Sequence, residues 1–168
     1  MTFGAVVAVV LAAATPRPPV LLPVPIVAQA PERCGPAALG MVLRYYGAGD
    51  SALAEAERAY DPALRGALIT DLAAAARRGG FVATVTTSVE DSLRAWLAAS
   101  VPPVLLYSRG IGPVTRGHYG VLVGWDPAAE RYVVHDGRRK PRSMSRDDLM
   151  RRWQAAGSHV LLVRRRSP

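Results

Sequence analysis

The residues best suited to chemistry are one cysteine and the short pattern around it. Cys34 is the only cysteine among the 168 residues, and it directly precedes a Gly-Pro-Ala-Ala run that suits the first turn of a helix. A thiol must ionise before it attacks a carbonyl carbon, and a helix N-terminus stabilises both the thiolate and the later oxyanion. Gln29, just upstream, adds an amide that can donate to the same oxyanion. The pattern predicts a nucleophile, although a lone cysteine is more often a small buried hydrophobic residue.

A nucleophilic cysteine needs a base, and the sequence offers three histidines, of which His118 is best placed. Residues 118–125 and 131–136 are predicted to form two strands joined by a hairpin loop. In the register where paired residue numbers sum to 254, His118 lies opposite Asp136, whose carboxylate would orient the imidazole. A one-residue bulge would instead place Gly137 opposite the histidine. The alternatives are a satisfied buried histidine and an aspartate that caps a loop.

The elements that must position these residues follow from hydrophobic periodicity and from turn residues. The sequence predicts helices at 36–46, 52–60, 71–78, 89–99 and 146–156, the last two capped by Ser88 and Ser145. It predicts strands at 81–86, 103–107, 118–125, 131–135 and 159–163. Helices come first and strands mostly later, which indicates an α+β domain with its helices segregated from an antiparallel sheet.

The N-terminal region has the composition of a segment outside the folded domain. An apolar stretch from Ala5 to Ala14 is too short to span a bilayer but fits the core of an export signal. The five prolines of residues 16–25 predict an extended tether. We therefore divide the chain into a signal-like segment with its tether, 1–23, and one folded domain, 24–168. The protein is predicted to be exported, with a cytoplasmic location as the alternative.

Charge and cysteine content exclude several classes of function. The net charge is +8, and the excess lies in the C-terminal part, where Arg138 to Arg142 and Arg164 to Arg166 form two basic runs. No motif for nucleic-acid binding accompanies these arginines, so we interpret them as a solvated basic face. One cysteine excludes an intramolecular disulfide, and one cysteine with three histidines is too few for a cysteine-rich zinc site. No cofactor is predicted.

Three segments together resemble a known family. Residues Gln29 to Tyr46 are similar to the nucleophile region of the bacteriocin-processing, double-glycine cysteine peptidases, a branch of the papain-like peptidases. The segment from His118 to Asp126 resembles the family's histidine strand, and that from Val133 to Gly137 its aspartate strand. The resemblance covers roughly residues 24 to 163. It implies a papain-like α+β fold, in which the cysteine helix packs on an antiparallel sheet that carries the histidine.

The resemblance also implies roles and a reaction. Cys34 would be the nucleophile, His118 the base, Asp136 the residue that orients it, and Gln29 the oxyanion donor. The reaction would be hydrolysis of a peptide or protein substrate through a thioester, without a cofactor. Well-known members cut leader peptides after Gly-Gly, a preference that we do not extend to this chain. The alternatives are a non-catalytic peptide-binding domain of the same fold and a cell-wall amidase or endopeptidase.

Overall fold

Five helices and seven strands occur in the residues that the computed structural model describes, 18–111 and 114–166. The helices are α1 (Cys34–Tyr45), α2 (Asp50–Arg58), α3 (Ile69–Arg78), α4 (Glu90–Ala98) and α5 (Arg146–Gln154). The strands are β1 (Val20–Leu21), β2 (Val82–Thr87), β3 (Val104–Ile111), β4 (Val114–Asp126), β5 (Arg131–His135), β6 (Arg142–Ser145) and β7 (His159–Arg164). The predicted α+β class is confirmed.

The strands form one antiparallel sheet in the order β2-β7-β3-β4-β5-β6. β4 is the longest strand, with 13 residues, and it lies between β3 and β5. β1 pairs with Gly124 and Trp125 of β4, which also pair with β5 on their other side. β1 and β3 therefore pair with the same edge of β4, at different positions along that strand.

Helix α1 is the central helix of the core. Every residue from Gly35 to Leu43 is buried, because the helix packs against β4 on one side and against α2 and α3 on others. A helix that is apolar around its whole circumference belongs in a core. Gly47, with φ +72°, ends the helical segment, and its N–H donates to Arg44 O at 2.9 Å. Burial on all sides holds the first residue, Cys34, in a fixed position relative to the sheet.

All the predicted helices and strands occur, and the largest shift is four residues, at the end of β3 and at the start of β4. The five helices begin and end within two residues of the predicted bounds, and α1 begins at Cys34 itself. The serine cap at Ser145 is confirmed, since its Oγ accepts a hydrogen bond from Asp148 N at 3.3 Å. The cap at Ser88 is wrong, because the N-cap residue of α4 is Val89 and no side chain caps that helix.

Two short strands were not predicted, and one of them moves the boundary of the domain. Val20 and Leu21 pair with β4, and Leu22 and Val24 are buried in the core. The folded domain therefore begins before the predicted boundary at residue 24, and the last residues of the predicted tether belong to the sheet. The other added strand, β6, pairs with β5. The signal-like segment lies in residues 1–17, outside the described residues, so the prediction of export stays a prediction.

Candidate active site

Cys34 is the first residue of α1 and lies half-buried at its N-terminus. The N-cap residue is Arg33, and no side chain caps the helix. Pro36 has no N–H, and the N–H of Ala37 donates to Arg33 O at 3.0 Å. The N–H groups of Cys34 and Gly35 are therefore the first-turn donors that lack an intrahelical acceptor. They give the sulfur and its surroundings two open hydrogen-bond donors and the positive end of a helix.

His118 lies on β4 and is buried, with 6% of its surface exposed. Its Nε2 donates to the main-chain oxygen of Asp136 at 3.1 Å, since a carbonyl oxygen can only accept. The ring also stacks edge-on against Tyr107, its cross-strand partner on β3, with 5.4 Å between the ring centroids. With the proton on Nε2, Nδ1 is the basic nitrogen of the neutral ring.

The environment of His118 favours the neutral imidazole. Burial lowers the pKa of His118 below its ordinary value, and the positive charges of Arg109 and Arg142 act in the same direction. The hydrogen bond to the Asp136 carbonyl and the negative charge of that residue oppose the shift. The ring is therefore neutral at neutral pH, which is the state that can accept a proton.

The predicted register between β4 and β5 is wrong. Val121 pairs with His135, and a bulge between Leu122 and Gly124 shifts the pairing by one residue nearer the turn. Pairing ends at His135, so the next residue, Asp136, does not lie opposite His118 as the 254 register required. The histidine ring reaches the carbonyl of Asp136 beyond the end of the paired region. The contact is therefore made to the main chain and not to the predicted carboxylate.

The carboxylate of Asp136 is fully buried and has unusual surroundings. Neither oxygen has a hydrogen-bond partner among the described residues. Arg138 Nε lies 3.5 Å and Arg142 Nη1 3.7 Å from Oδ2, so the charge is offset by two guanidinium groups at ion-pair distance. The Tyr107 hydroxyl is likewise buried and has no hydrogen-bond partner within 18–111 and 114–166. Burial together with the nearby Asp136 charge raises the pKa of Tyr107. The tyrosine therefore stays protonated beside the histidine.

Gln29 is held next to the loop that follows Asp136. Its backbone N–H donates to Gly137 O at 3.2 Å, and its Oε1 is buried without a partner among the described residues. Gly137 has φ +82°, and a Cβ at this position would overlap the Gln29 side chain. The glycine thus provides both the left-handed turn and the space that the glutamine occupies.

Three of the four predicted site residues, Gln29, Cys34 and His118, line one cavity of about 880 Å³. Asp136 lies behind His118 and is not part of the cavity wall. The remaining wall combines apolar side chains, including Leu64, Leu68 and Leu106, with several arginines. Its size and its mixed lining suit a short stretch of polypeptide. No group of three metal-ligating side chains converges anywhere in the described part of the chain.

Sequence reasoning missed two residues that contact the histidine. Tyr107 stacks on His118, and Arg109 Nη1 lies 3.5 Å from His118 Nε2. Both are on β3, and the pairing of this strand with β4 was not predicted. A sequence signal for that pairing is the Gly-Ile-Gly-Pro run at 110–113, a turn-forming composition between two apolar segments.

Three solved structures share this fold over most of their length. The peptidase domain of Streptococcus ComA, a bifunctional ABC transporter involved in a quorum sensing pathway, has a TM-score of 0.67 at 20% identity over 84% of this chain and 98% of that one. A double glycine motif protease from an AMS/PCAT transporter, in complex with the leader peptide, has a TM-score of 0.69 at 19% identity over 88% and 98%. A putative C39-like peptidase from Bacillus anthracis has a TM-score of 0.73 at 18% identity over 90% and 100%.

The fold is therefore that of the C39-like peptidase domains, which confirms the predicted papain-like architecture and the resemblance to double-glycine peptidases. The sequence model of the Peptidase C39 family matches residues 24–167, and the chain belongs to that family. No curated protein matches the chain. None of the helices within 18–111 and 114–166 has the length and apolar character needed to cross a membrane.

Proposed function

We propose that this protein is a cysteine peptidase in which Cys34 is the nucleophile and His118 the general base. The observation that carries the proposal is that the two residues line one cavity, the thiol at an uncapped helix N-terminus and the imidazole buried with its Nε2 occupied by a carbonyl. This leaves Nδ1 as the nitrogen that takes the thiol proton. The neutral state of His118, favoured by burial, is the one that the step requires.

The reaction would proceed through a thioester. Cys34 attacks the carbonyl carbon of the scissile bond as its proton passes to His118, and the imidazolium then gives that proton to the leaving amine. Water, activated by the same imidazole, attacks the thioester and releases the acid. The Cys34 N–H and the Gln29 amide are the proposed oxyanion donors, because both residues line the cavity.

Asp136 would act on the ring from behind. Its carbonyl fixes the tautomer through the hydrogen bond to Nε2, and its buried carboxylate adds negative charge that favours the imidazolium. Asp136 is therefore a positioning residue. A substitution removes its carboxylate but keeps the main-chain carbonyl, so only part of its effect is lost. The substrate would be a peptide or protein bound in extended form along the cavity. A leader peptide is one candidate, supported by the leader-peptide complex of a structural neighbour.

The rate of Cys34 alkylation at neutral pH tests the activated thiol directly. Cys34 is the only cysteine, so every alkylation event reports on it. We expect alkylation to be faster than that of the free amino acid cysteine under the same conditions, because the helix N-terminus and the imidazole both favour the reactive thiolate. In His118→Ala the rate should fall, since the proton acceptor is gone. A rate no faster than that of free cysteine, and unchanged in the variant, would contradict the proposal.

Gly137→Ala tests the proposed role of Gln29. The new methyl group would overlap the Gln29 side chain and displace its amide from the cavity. We expect hydrolysis to fall by about tenfold to a hundredfold, since loss of one oxyanion donor costs ~10²–10³ in turnover. Gly80→Ala is a matched control: Gly80 also has positive φ, +90°, but nothing lies within 4 Å of its Cβ position. Both variants should lose about 1 kcal/mol of stability. Equal turnover in the two would show that Gln29 is not needed.

A further inference from the structure

Two arginines face each other across β3 and β4 at the edge of the cavity. Arg109 pairs with Arg116 in the register of the two strands, so both side chains leave the same face of the sheet. Both line the cavity that contains Cys34 and His118. Like charges directly opposite each other on a sheet are destabilising. The pair therefore has an energetic cost that an anion bound between the two side chains would remove.

No acidic side chain of the protein neutralises this pair. All 13 aspartates and glutamates lie within the described residues, and none of them forms an ion pair with Arg109 or Arg116. Glu32, the acidic residue of the cavity wall, is paired with Arg65. The pKa of Glu32 is lowered mainly by the hydrogen bond from Arg65 and to a smaller extent by the charge of Arg116. Arg116 makes no ion pair with Glu32. The two guanidinium groups are left available to a ligand.

The position of Arg109 indicates which part of a substrate would meet them. Arg109 Nη1 lies 3.5 Å from His118 Nε2. If His118 gives its proton to the leaving amine, as in the proposed function, the residues that follow the scissile bond must pass beside the imidazole. Because Arg109 and Arg116 line the same cavity as the imidazole, these residues of the substrate pass beside them as well. Guanidinium groups bind carboxylates with paired, charge-assisted hydrogen bonds.

We propose that Arg109 and Arg116 form a subsite for a carboxylate on the leaving-group side of the scissile bond. The carboxylate belongs either to an acidic side chain within the first residues after the cleaved bond or to a free C-terminus at that distance. The subsite deepens the proposed peptidase function and rests on it for the direction in which the substrate lies. It gives the cavity a preference based on charge, in addition to its apolar walls.

Paired peptides test the subsite with the full-length protein. Each pair is identical except for Glu or Gln at one position, with an amidated C-terminus, and a further pair carries either a free or an amidated C-terminus. Cleavage sites are mapped by mass spectrometry, and kcat/KM is compared within each pair. We expect about a tenfold preference for Glu just after the cleaved bond, for the free C-terminus, or for both, because hydrogen bonds between charged groups are stronger than those to a neutral amide.

In the variant Arg109→Gln/Arg116→Gln, the ratio of kcat/KM for the two peptides of a pair should fall to about one. This holds whatever the overall turnover of the variant, because effects common to both peptides cancel in the ratio. Arg166→Gln is the control: Arg166 is exposed and does not line the cavity, so this variant should keep the preference. A wild-type enzyme that cleaves both members of every pair equally well would overturn the subsite and leave the peptidase function intact. A preference that persists in the double variant would also overturn it.

Measurements of peptide binding test the subsite independently of peptide cleavage. The same peptides are titrated against the Cys34→Ala variant by fluorescence anisotropy at low and high salt. We expect the carboxylate-bearing peptide to bind about tenfold more tightly at low salt, with the difference reduced at high salt and absent in the double arginine variant. If the wild type cleaves no peptide but this difference in binding is found, the peptidase function fails and the carboxylate site stands. Equal binding of both peptides would overturn the site.

Discussion

Cys34→Ala is expected to abolish peptide hydrolysis and to leave the fold intact. The sulfur is the only atom in the cavity proposed to form a covalent bond with the substrate, and removal of the nucleophile from such a site costs on the order of 10³-fold or more. The residue is only half-buried, and alanine is a good helix former at the start of α1. Turnover of a peptide mixture, measured by mass spectrometry, checks the loss, and circular dichroism with thermal unfolding checks the fold.

A control for this variant should remove a surface group and leave the cavity unchanged. Arg44→Ala meets this need, because Arg44 is exposed in the last turn of the same helix and does not line the cavity. It should retain the turnover of the wild type. Full turnover in Cys34→Ala would show that the peptidase proposal is wrong. The non-catalytic peptide-binding domain, the alternative of the same fold, would then be the better account.

His118→Ala should cost far more turnover than Asp136→Asn. Loss of the imidazole removes both the base for the thiol and the acid for the leaving amine, so we expect a fall on the order of 10³-fold. Asparagine at position 136 keeps the main-chain carbonyl that accepts from His118 Nε2, and only the negative charge is lost. We therefore expect a smaller fall, about tenfold to a hundredfold. Comparison of kcat/KM for the two variants on one peptide gives the order directly.

The reverse order would mean that the carboxylate of Asp136 matters more than the hydrogen bond from its carbonyl. His159→Ala is the matched control for loss of an imidazole, since His159 begins β7 and lies outside the cavity wall. Its turnover should stay within about twofold of the wild type, because substitutions away from a site have small effects. Thermal unfolding of all three variants separates a loss of chemistry from a loss of structure.

Much of this architecture follows from local sequence features. Helix α1 could be predicted because its apolar residues are dense, Pro36 suits its first turn and Gly47 permits the left-handed turn at its end. The position of the proposed nucleophile followed from that helix, and the long strand with His118 followed from its apolar run. These are short-range patterns, in which neighbouring residues carry the whole signal.

The missed features depend on long-range pairing. β1 has only two residues between prolines, and it forms because Gly124 lets its backbone approach closely, with Val20 O 2.8 Å from the position of an added Cβ. β6 has one buried residue, Met144, and forms because it pairs with the neighbouring β5. The bulge near Leu122 lies in a continuous apolar run, where no alternation of side chains marks a change of register. The paired residue numbers sum to 257 beside the turn and to 256 beyond the bulge, so Asp136 lies past the end of the pairing and not opposite His118.

The division of the site between α1 and β4 also has a consequence for the protein during synthesis. Cys34 leaves the ribosome 84 residues before His118, so the two side chains come together only after β4 has been synthesised and packs against α1. Until then the sulfur lacks the proton acceptor proposed for it. If the two residues act as proposed, a chain that has not yet formed this contact is unable to cleave its surroundings, and competence to react begins with formation of the tertiary structure.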